Sequence, residues 1–269
     1  MQITDGNQLL KLEGNRFIGT IPKLINSQIN FKGKNNILIC QENVKLWNSR
    51  IDFNLDNSVL YLSSNLHDYS VNISIHNNNV CFIGKDNFFN GRTTIVLSEG
   101  KNVIIGDGCL FSYNITIRVA DGHLLYNSDT KERLNQSKSI FIGDHVWLGQ
   151  NAMIFKGTQI GSGSTIGANS ILSNKTVPSN TTFAGIPIKL IHNNSFWTGH
   201  SVHGWGDEET EKMAKYESDR FVYNVDENTL DFKDIDHNFN NLTTPYEIFE
   251  YIHYNIVLNH NKNKFSIKR

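Results

Sequence analysis

One histidine stands out for where it lies. Asp121-Gly122-His123 falls within RVADGHLLYNSDTKERLNQSK (118–138), a polar stretch set between two strand-like blocks. An imidazole titrates close to neutral pH, so a small environmental shift brings it into the working range of a general base. Asp121 is placed to orient the ring from two residues away. The same tripeptide is also an ordinary turn with a solvated histidine, and local chemistry leaves both readings open. Cys40, Cys81 and Cys109 are scattered through strand-like pieces with no C-x-x-C pair. They read as small, reduced core residues, with no metal or redox site expected.

The stretch that must position this loop is Ile140 to Pro187. Ile142, Leu148, Ile154, Ile160, Ile166 and Leu172 recur every six residues, and Gly143, Gly149, Gly161 and Gly167 each follow one of them. A period of six fits neither a helix nor a long alternating strand; it is the hexapeptide signature of a parallel β-helix. The aliphatic residue points inward and the next residue turns the corner. Glycine suits that place because it tolerates unusual backbone angles and close approach of neighbouring coils. Three such units make a coil of about eighteen residues, stacked on the next at about 4.8 Å. Ile142 then lies under Ile160, Leu148 under Ile166 and Ile154 under Leu172. The period also appears at Ile83, Phe89 and Ile95, and again at Ile105, Phe111 and Ile117. It breaks after Ile117, so the insertion leaves the solenoid as a loop, and long loops in compact domains are usually functional.

The expected fold is mainly β: a parallel β-helix with a projecting loop and a C-terminal extension containing α-helices. Residues 1–80 hold short strand-like pieces spaced near seven or eight, read as an irregular extension of the solenoid. Residues 81–192 form the regular β-helix, with its loop at 118–139. Residues 193–269 form the extension, and 188–206, across its start, reads as an irregular tail. Helices are expected over 207–223 and 244–260, the second with Thr244 at its cap and Pro245 at its first position; 224–244 reads as turn-rich. The chain of 269 residues carries a formal net charge of -1, which gives no electrostatic case for nucleic acid or an anionic membrane. No apolar run spans a bilayer and the start does not read as a signal peptide, so a cytoplasmic location is expected.

The run IGDHVWLGQNAMIFKGTQIGSGSTIGANSILS…VPSNTTFAGIPIKLI resembles the hexapeptide-repeat O-acyltransferases, over roughly residues 80–192. Within them it is similar to galactoside and maltose acetyltransferases and to bacterial sialic acid or polysialic acid O-acetyltransferases. The resemblance implies left-handed coils, homotrimers with active sites between subunits, and acetyl-CoA as cosubstrate. His123 stands twenty-four residues ahead of Trp147, the separation of the family's catalytic histidine from the tryptophan of the VW[IL]G motif. It implies that His123 takes the proton of an acceptor hydroxyl attacking the thioester. Trp147 would line the acetyl-CoA site, pack the pantetheine arm and aim its indole N–H at developing charge. Gln150, Ala168 and Ser173 match CoA-contacting positions, and Lys189 matches a basic position near the CoA phosphates. Asn90 falls on an acceptor-binding asparagine, with Glu99 and Arg118 as neighbours; Arg118 suits a carboxylate. His145 reads as structural, directed outward.

The function these readings imply is O-acetylation of a bacterial surface carbohydrate: capsule, lipooligosaccharide or polysialic acid. N-acetylation of an amino sugar would use the same base. A non-catalytic β-solenoid scaffold is the rival from another class. A γ-carbonic-anhydrase-like solenoid would need three converging metal histidines, which the spacing does not supply.

Overall fold

The computed structural model describes residues 1–268. The chain winds as a left-handed parallel β-helix, a three-walled prism whose parallel strands pair with the coil above and the coil below. The first wall has eight strands, among them Arg50–Phe53, Val71–Ile75, Thr93–Leu97, Thr116–Arg118, Met153–Phe155 and Ile171–Leu172. The second wall also has eight, among them Ile37–Cys40, Val59–Leu62, Val80–Ile83, Val103–Ile105, Ile140–Ile142 and Gln159–Ile160. The third wall carries Phe88–Phe89, Leu110–Phe111, Trp147–Leu148, Thr165–Ile166 and Thr182–Ala184, closed by the antiparallel strand Lys189–His192. That last strand lies where the sequence reads as irregular tail.

The six-residue register holds in space. Ile142 pairs with Ile160, Leu148 with Ile166 and Ile154 with Leu172, and all six are fully buried. Below them Ile105, Phe111 and Ile117 continue the same three columns. The walls run on through the N-terminal residues, where Ile29, Ile51, Ile73 and Ile95 stack in one column. Partners on successive coils there stand 22 residues apart, against 18 above the loop. Longer corners account for the difference and for the looser sequence spacing.

The corner chemistry differs from the sequence reading in one respect. Gly143 and Gly149 do not adopt positive φ. A Cβ on Gly143 would lie 2.6 Å from the Ser162 backbone nitrogen, and one on Gly149 2.6 Å from that of Ala168. Close approach of the next coil therefore demands glycine there. The left-handed residue comes two positions later: His145 at φ 53, Asn151 at φ 60, Gly163 at φ 76 and Asn169 at φ 56. Asparagine tolerates that region and bonds along the stack, with Asn114 Nδ2 donating to Asn151 Oδ1 at 3.2 Å and Asn151 Nδ2 to Asn169 Oδ1 at 2.9 Å.

From Ile37–Cys40 to Ile140–Ile142 the second wall is buried on both faces. Its outward residues, including Ile37, Tyr61, Phe82, Ile104 and Phe141, form a second core with Phe232, Ile235, Phe239, Ile248, Ile252, Ile256 and Phe265 of the C-terminal extension. The helices of that extension differ from expectation. Asp207–Lys212 is one short α-helix, and the chain beyond it leaves helical geometry. Phe232–Asn241, read as turn-rich, is an α-helix capped by Asp231 with Phe232, Ile235 and Phe239 on its buried side. Its Asn and Asp content lowers intrinsic propensity, and tertiary packing overrides that. Pro245–Tyr251 is α-helical, capped by Thr244, and continues as the π-helical turn Ile252–Val257. Cys40, Cys81 and Cys109 are free and buried, their thiols pushed up by burial.

Candidate active site

The loop after Thr116–Arg118 leaves the prism at the edge between the first and second walls. It folds back as a hairpin, with an antiparallel bridge between Tyr126 and Arg133 and Leu134 N donating to Leu125 O at 2.8 Å. Buried Asn135 is its internal clamp. Its amide donates to Asp121 Oδ2 at 2.9 Å and to the His123 carbonyl at 2.7 Å, and its oxygen accepts from Leu125 N at 2.9 Å. Two ion pairs tie the loop to the coils: Asp121 with Lys156 at 2.5 Å and Arg133 with Glu99 at 2.9 Å. Ser137 also donates to Glu99. The Arg133 guanidinium holds the Glu99 carboxyl below its usual range, and the bond from Lys156 does the same for Asp121.

These contacts reassign two residues. The Asp121 carboxylate is engaged by Lys156 and Asn135, so it anchors the loop and does not orient the His123 ring. Glu99 serves as the loop's other anchor. His123 itself is exposed, with its main chain fixed through Asn135 and its imidazole without a hydrogen-bond partner among the described residues. Arg118 is exposed at the base of the loop, and its Nη2 lies 3.2 Å from where a Cβ on Gly122 would sit. Arg118 pairs with Phe155 on the first wall, and Ser173, exposed, follows one coil above in the same column. His123, Arg118 and Ser173 thus gather at one edge of the prism.

The remaining candidates gather elsewhere. Trp147 stands on the third wall, 37% exposed, its indole Nε1 donating to Ser112 Oγ at 3.1 Å. That bond was invisible in the sequence, because Ser112 and Trp147 meet only through the coil register. Asn90, Gln150 and Ala168 are exposed along the edge between the third and first walls. Gln150 O accepts from Asn169 N at 2.8 Å. Lys189 is exposed on the closing strand, opposite Ala184. Within one chain, then, His123 and Trp147 occupy different sides of the prism.

His145 is held structurally at the edge between the second and third walls. Its ring lies between Trp197 and Phe221, parallel to both to within 5° and with centroids 4.1 and 4.0 Å away. The bonding with Trp197 is reciprocal: His145 Nε2 meets the Trp197 carbonyl at 2.9 Å, and Trp197 Nε1 donates to the His145 carbonyl at 2.8 Å. Burial depresses the His145 imidazole. Trp197 also stands 6.2 Å from the Trp147 ring, so the C-terminal extension walls one side of Trp147.

A signature described as bacterial transferase hexapeptide (six repeats) matches residues 139–174. No curated protein sequence matches the chain significantly. Among solved structures, the polySia-specific acetyltransferase NeuO aligns at 30% identity and a TM-score of 0.65, covering 75% of this chain and 94% of that one. The polysialic acid O-acetyltransferase OatWY aligns at 24% identity and a TM-score of 0.58, covering 75% of this chain and 99% of that one, a likeness of fold. A galactoside acetyltransferase solved with coenzyme A aligns over 46% of this chain and 60% of its own, at 32% identity and a TM-score of 0.39. The chain belongs to the hexapeptide-repeat transferases and is an acyltransferase. No helix among the described residues is long and apolar enough to cross a membrane, and no group of three metal-ligating side chains occurs among them.

Proposed function

We propose that the protein is an acetyl-CoA-dependent O-acetyltransferase acting on a hydroxyl of an acidic bacterial surface carbohydrate, of which polysialic acid is the type. The observation that carries this reading is the 30% identity spanning 94% of the polySia-specific enzyme, together with a braced loop that presents His123. His123 serves as general base, taking the acceptor proton as the oxygen attacks; positioned base catalysis contributes about 10²–10⁴-fold. Acetyl-CoA supplies the activated acyl group. The residues suit it: Trp147 offers an exposed ring face, and the small side chain of exposed Ala168 leaves room along the adjoining edge. Gln150 and Ser173 add polar contacts, and Lys189 meets the phosphates. Ser112 shares the Trp147 indole hydrogen and keeps its own hydroxyl hydrogen to donate.

His123 and Trp147 belong on this reading to one site built from two subunits of a homotrimer. Leu124, Leu125, Tyr126 and Leu134, each more than half exposed on the loop, support a seat for the loop against a neighbouring copy. Asn90 and Arg118 contact the acceptor, Arg118 through a carboxylate. Use of acetyl-CoA places the enzyme in the cytoplasm. The test is thiol release from acetyl-CoA with oligosialic acid as acceptor. His123→Ala is expected to lower transfer by about 10²–10⁴-fold while coenzyme A binding persists; unchanged transfer eliminates the base assignment.

A further inference from the structure

A crevice of about 410 Å³ opens between the C-terminal extension and the edge joining the second and third walls. Its floor is an ion pair between a buried lysine and a half-buried carboxylate. Lys264, 6% exposed, sits 2.8 Å from Asp107 Oδ2 and 4.0 Å from Asp144 Oδ1. Its rim is basic. Lys85, Arg220 and Lys262 line it together with His260, against one exposed carboxylate, Asp86. None of the three cations has an ion-pair partner among the described residues. The Arg220 guanidinium rests over the Phe221 ring at 5.2 Å. Lys262 Nζ donates to the Asp219 carbonyl at 2.7 Å and lies 5.4 Å from the centre of the Tyr223 ring. Aromatic packing thus props two of the cations at the opening, and neither forms an ion pair with the carboxylates of Asp86, Asp107 or Asp144 that share the crevice.

The crevice is joined to Trp147 through rings. Trp147 adjoins Trp197, which stacks on His145, which stacks on Phe221, which carries Arg220. That path runs along the edge between the second and third walls, whereas Gln150 and Ala168 lie on the opposite edge of the third wall.

We propose that this crevice is a second subsite for an acidic glycan, binding the carboxylate of a sugar residue remote from the hydroxyl that is acylated. The inference rests on the acceptor class proposed above and adds where the rest of the chain is held. A planar guanidinium pairs a carboxylate through two parallel hydrogen bonds, and ammonium groups beside it add point charge. A thioester donor bound along the far edge leaves this crevice open. An occupant of this kind makes long acidic acceptors better substrates than short ones, because the second contact acts within the same molecule.

The experiment compares sialic acid oligomers of graded length with the wild type and the double variant Arg220→Gln, Lys262→Gln. Both side chains are on the surface, and the melting temperature checks that the fold is kept. The wild-type KM should fall with acceptor length. The double variant should raise KM for long oligomers by roughly tenfold, the loss of one or two charge-assisted contacts, with kcat and the KM for short acceptors unchanged. Equal KM at every length overturns the proposal. A raised KM for acetyl-CoA in place of the acceptor also overturns it, assigning the cations to the cosubstrate's phosphates. If no sialic acid oligomer is acetylated, the acceptor reading fails separately, and calorimetry with the same oligomers decides. Binding by the wild type that weakens with salt and is lost in the double variant upholds the subsite; no binding refutes it.

Discussion

Replacing Asp144 by asparagine probes how the β-helix tolerates a carboxyl in its wall. Asp144 is 7% exposed, and its Oδ1 accepts the Asp107 backbone N–H at 2.7 Å. Lys264 is committed to Asp107, leaving Asp144 at 4.0 Å. Burial pushes the Asp144 carboxyl up to about 7 from 3.8; the Asp107 charge adds to the rise and Lys264 opposes it. A carboxyl raised on folding binds its proton more tightly in the native state than in the unfolded chain. Its contribution to stability is therefore fully present below pH 4 and is lost as the pH climbs from about 4 to 7. The displacement of about three pH units sets an upper limit near 4 kcal/mol for that loss. Asparagine keeps the oxygen that accepts from Asp107 and removes the titration. Urea denaturation of both proteins at pH 4, 5.5, 7 and 8 reads the difference. The variant should gain on the wild type by up to about 4 kcal/mol across that range and hold its advantage above pH 7. Carboxyls lowered on folding, such as Asp52, Glu99 and Asp121, slope the other way but cancel between the two proteins. Parallel stability curves would refute the assignment of a protonated Asp144.

Two further outcomes follow from packing. Ile252 is fully buried in the core between the second wall and the extension, so Ile252→Ala should destabilise by about 2–5 kcal/mol in a urea titration, and release of the extension should accompany it. Glu99→Ala removes the loop's exposed anchor to Arg133; it should cost under about 1 kcal/mol in global stability, yet accelerate amide exchange over residues 121–135.

The period of six was enough to read the prism, its inward columns and the point where the loop departs. Each inward residue is set by its own strand's pleat, a matter of immediate neighbours, so Ile142, Leu148 and Ile154 announce themselves. The helix over Phe232–Asn241 left a weaker trace: Asp231 as cap and Phe232, Ile235 and Phe239 on one side, masked by residues of poor helix propensity. The second wall left a trace as well. Its strands read as unbroken apolar runs such as ILIC and VLYL, the mark of burial on both faces.

What covers that wall was decided only in three dimensions. Phe141 meets Phe232 at 4.9 Å between ring centres, a contact between residues far apart in the chain that no local pattern encodes. The same holds for His145, whose left-handed backbone turns its ring outward, where Trp197 and Phe221 close on it. The loop was legible as an interruption, but its bracing by Glu99, Lys156 and Asn135 was not, since charges pair across coils by proximity alone. Sequence periodicity thus determined the coil and its core, because burial repeats with the backbone. Tertiary structure decided the partners of the outward-facing residues, because those depend on which distant segment folds against each wall.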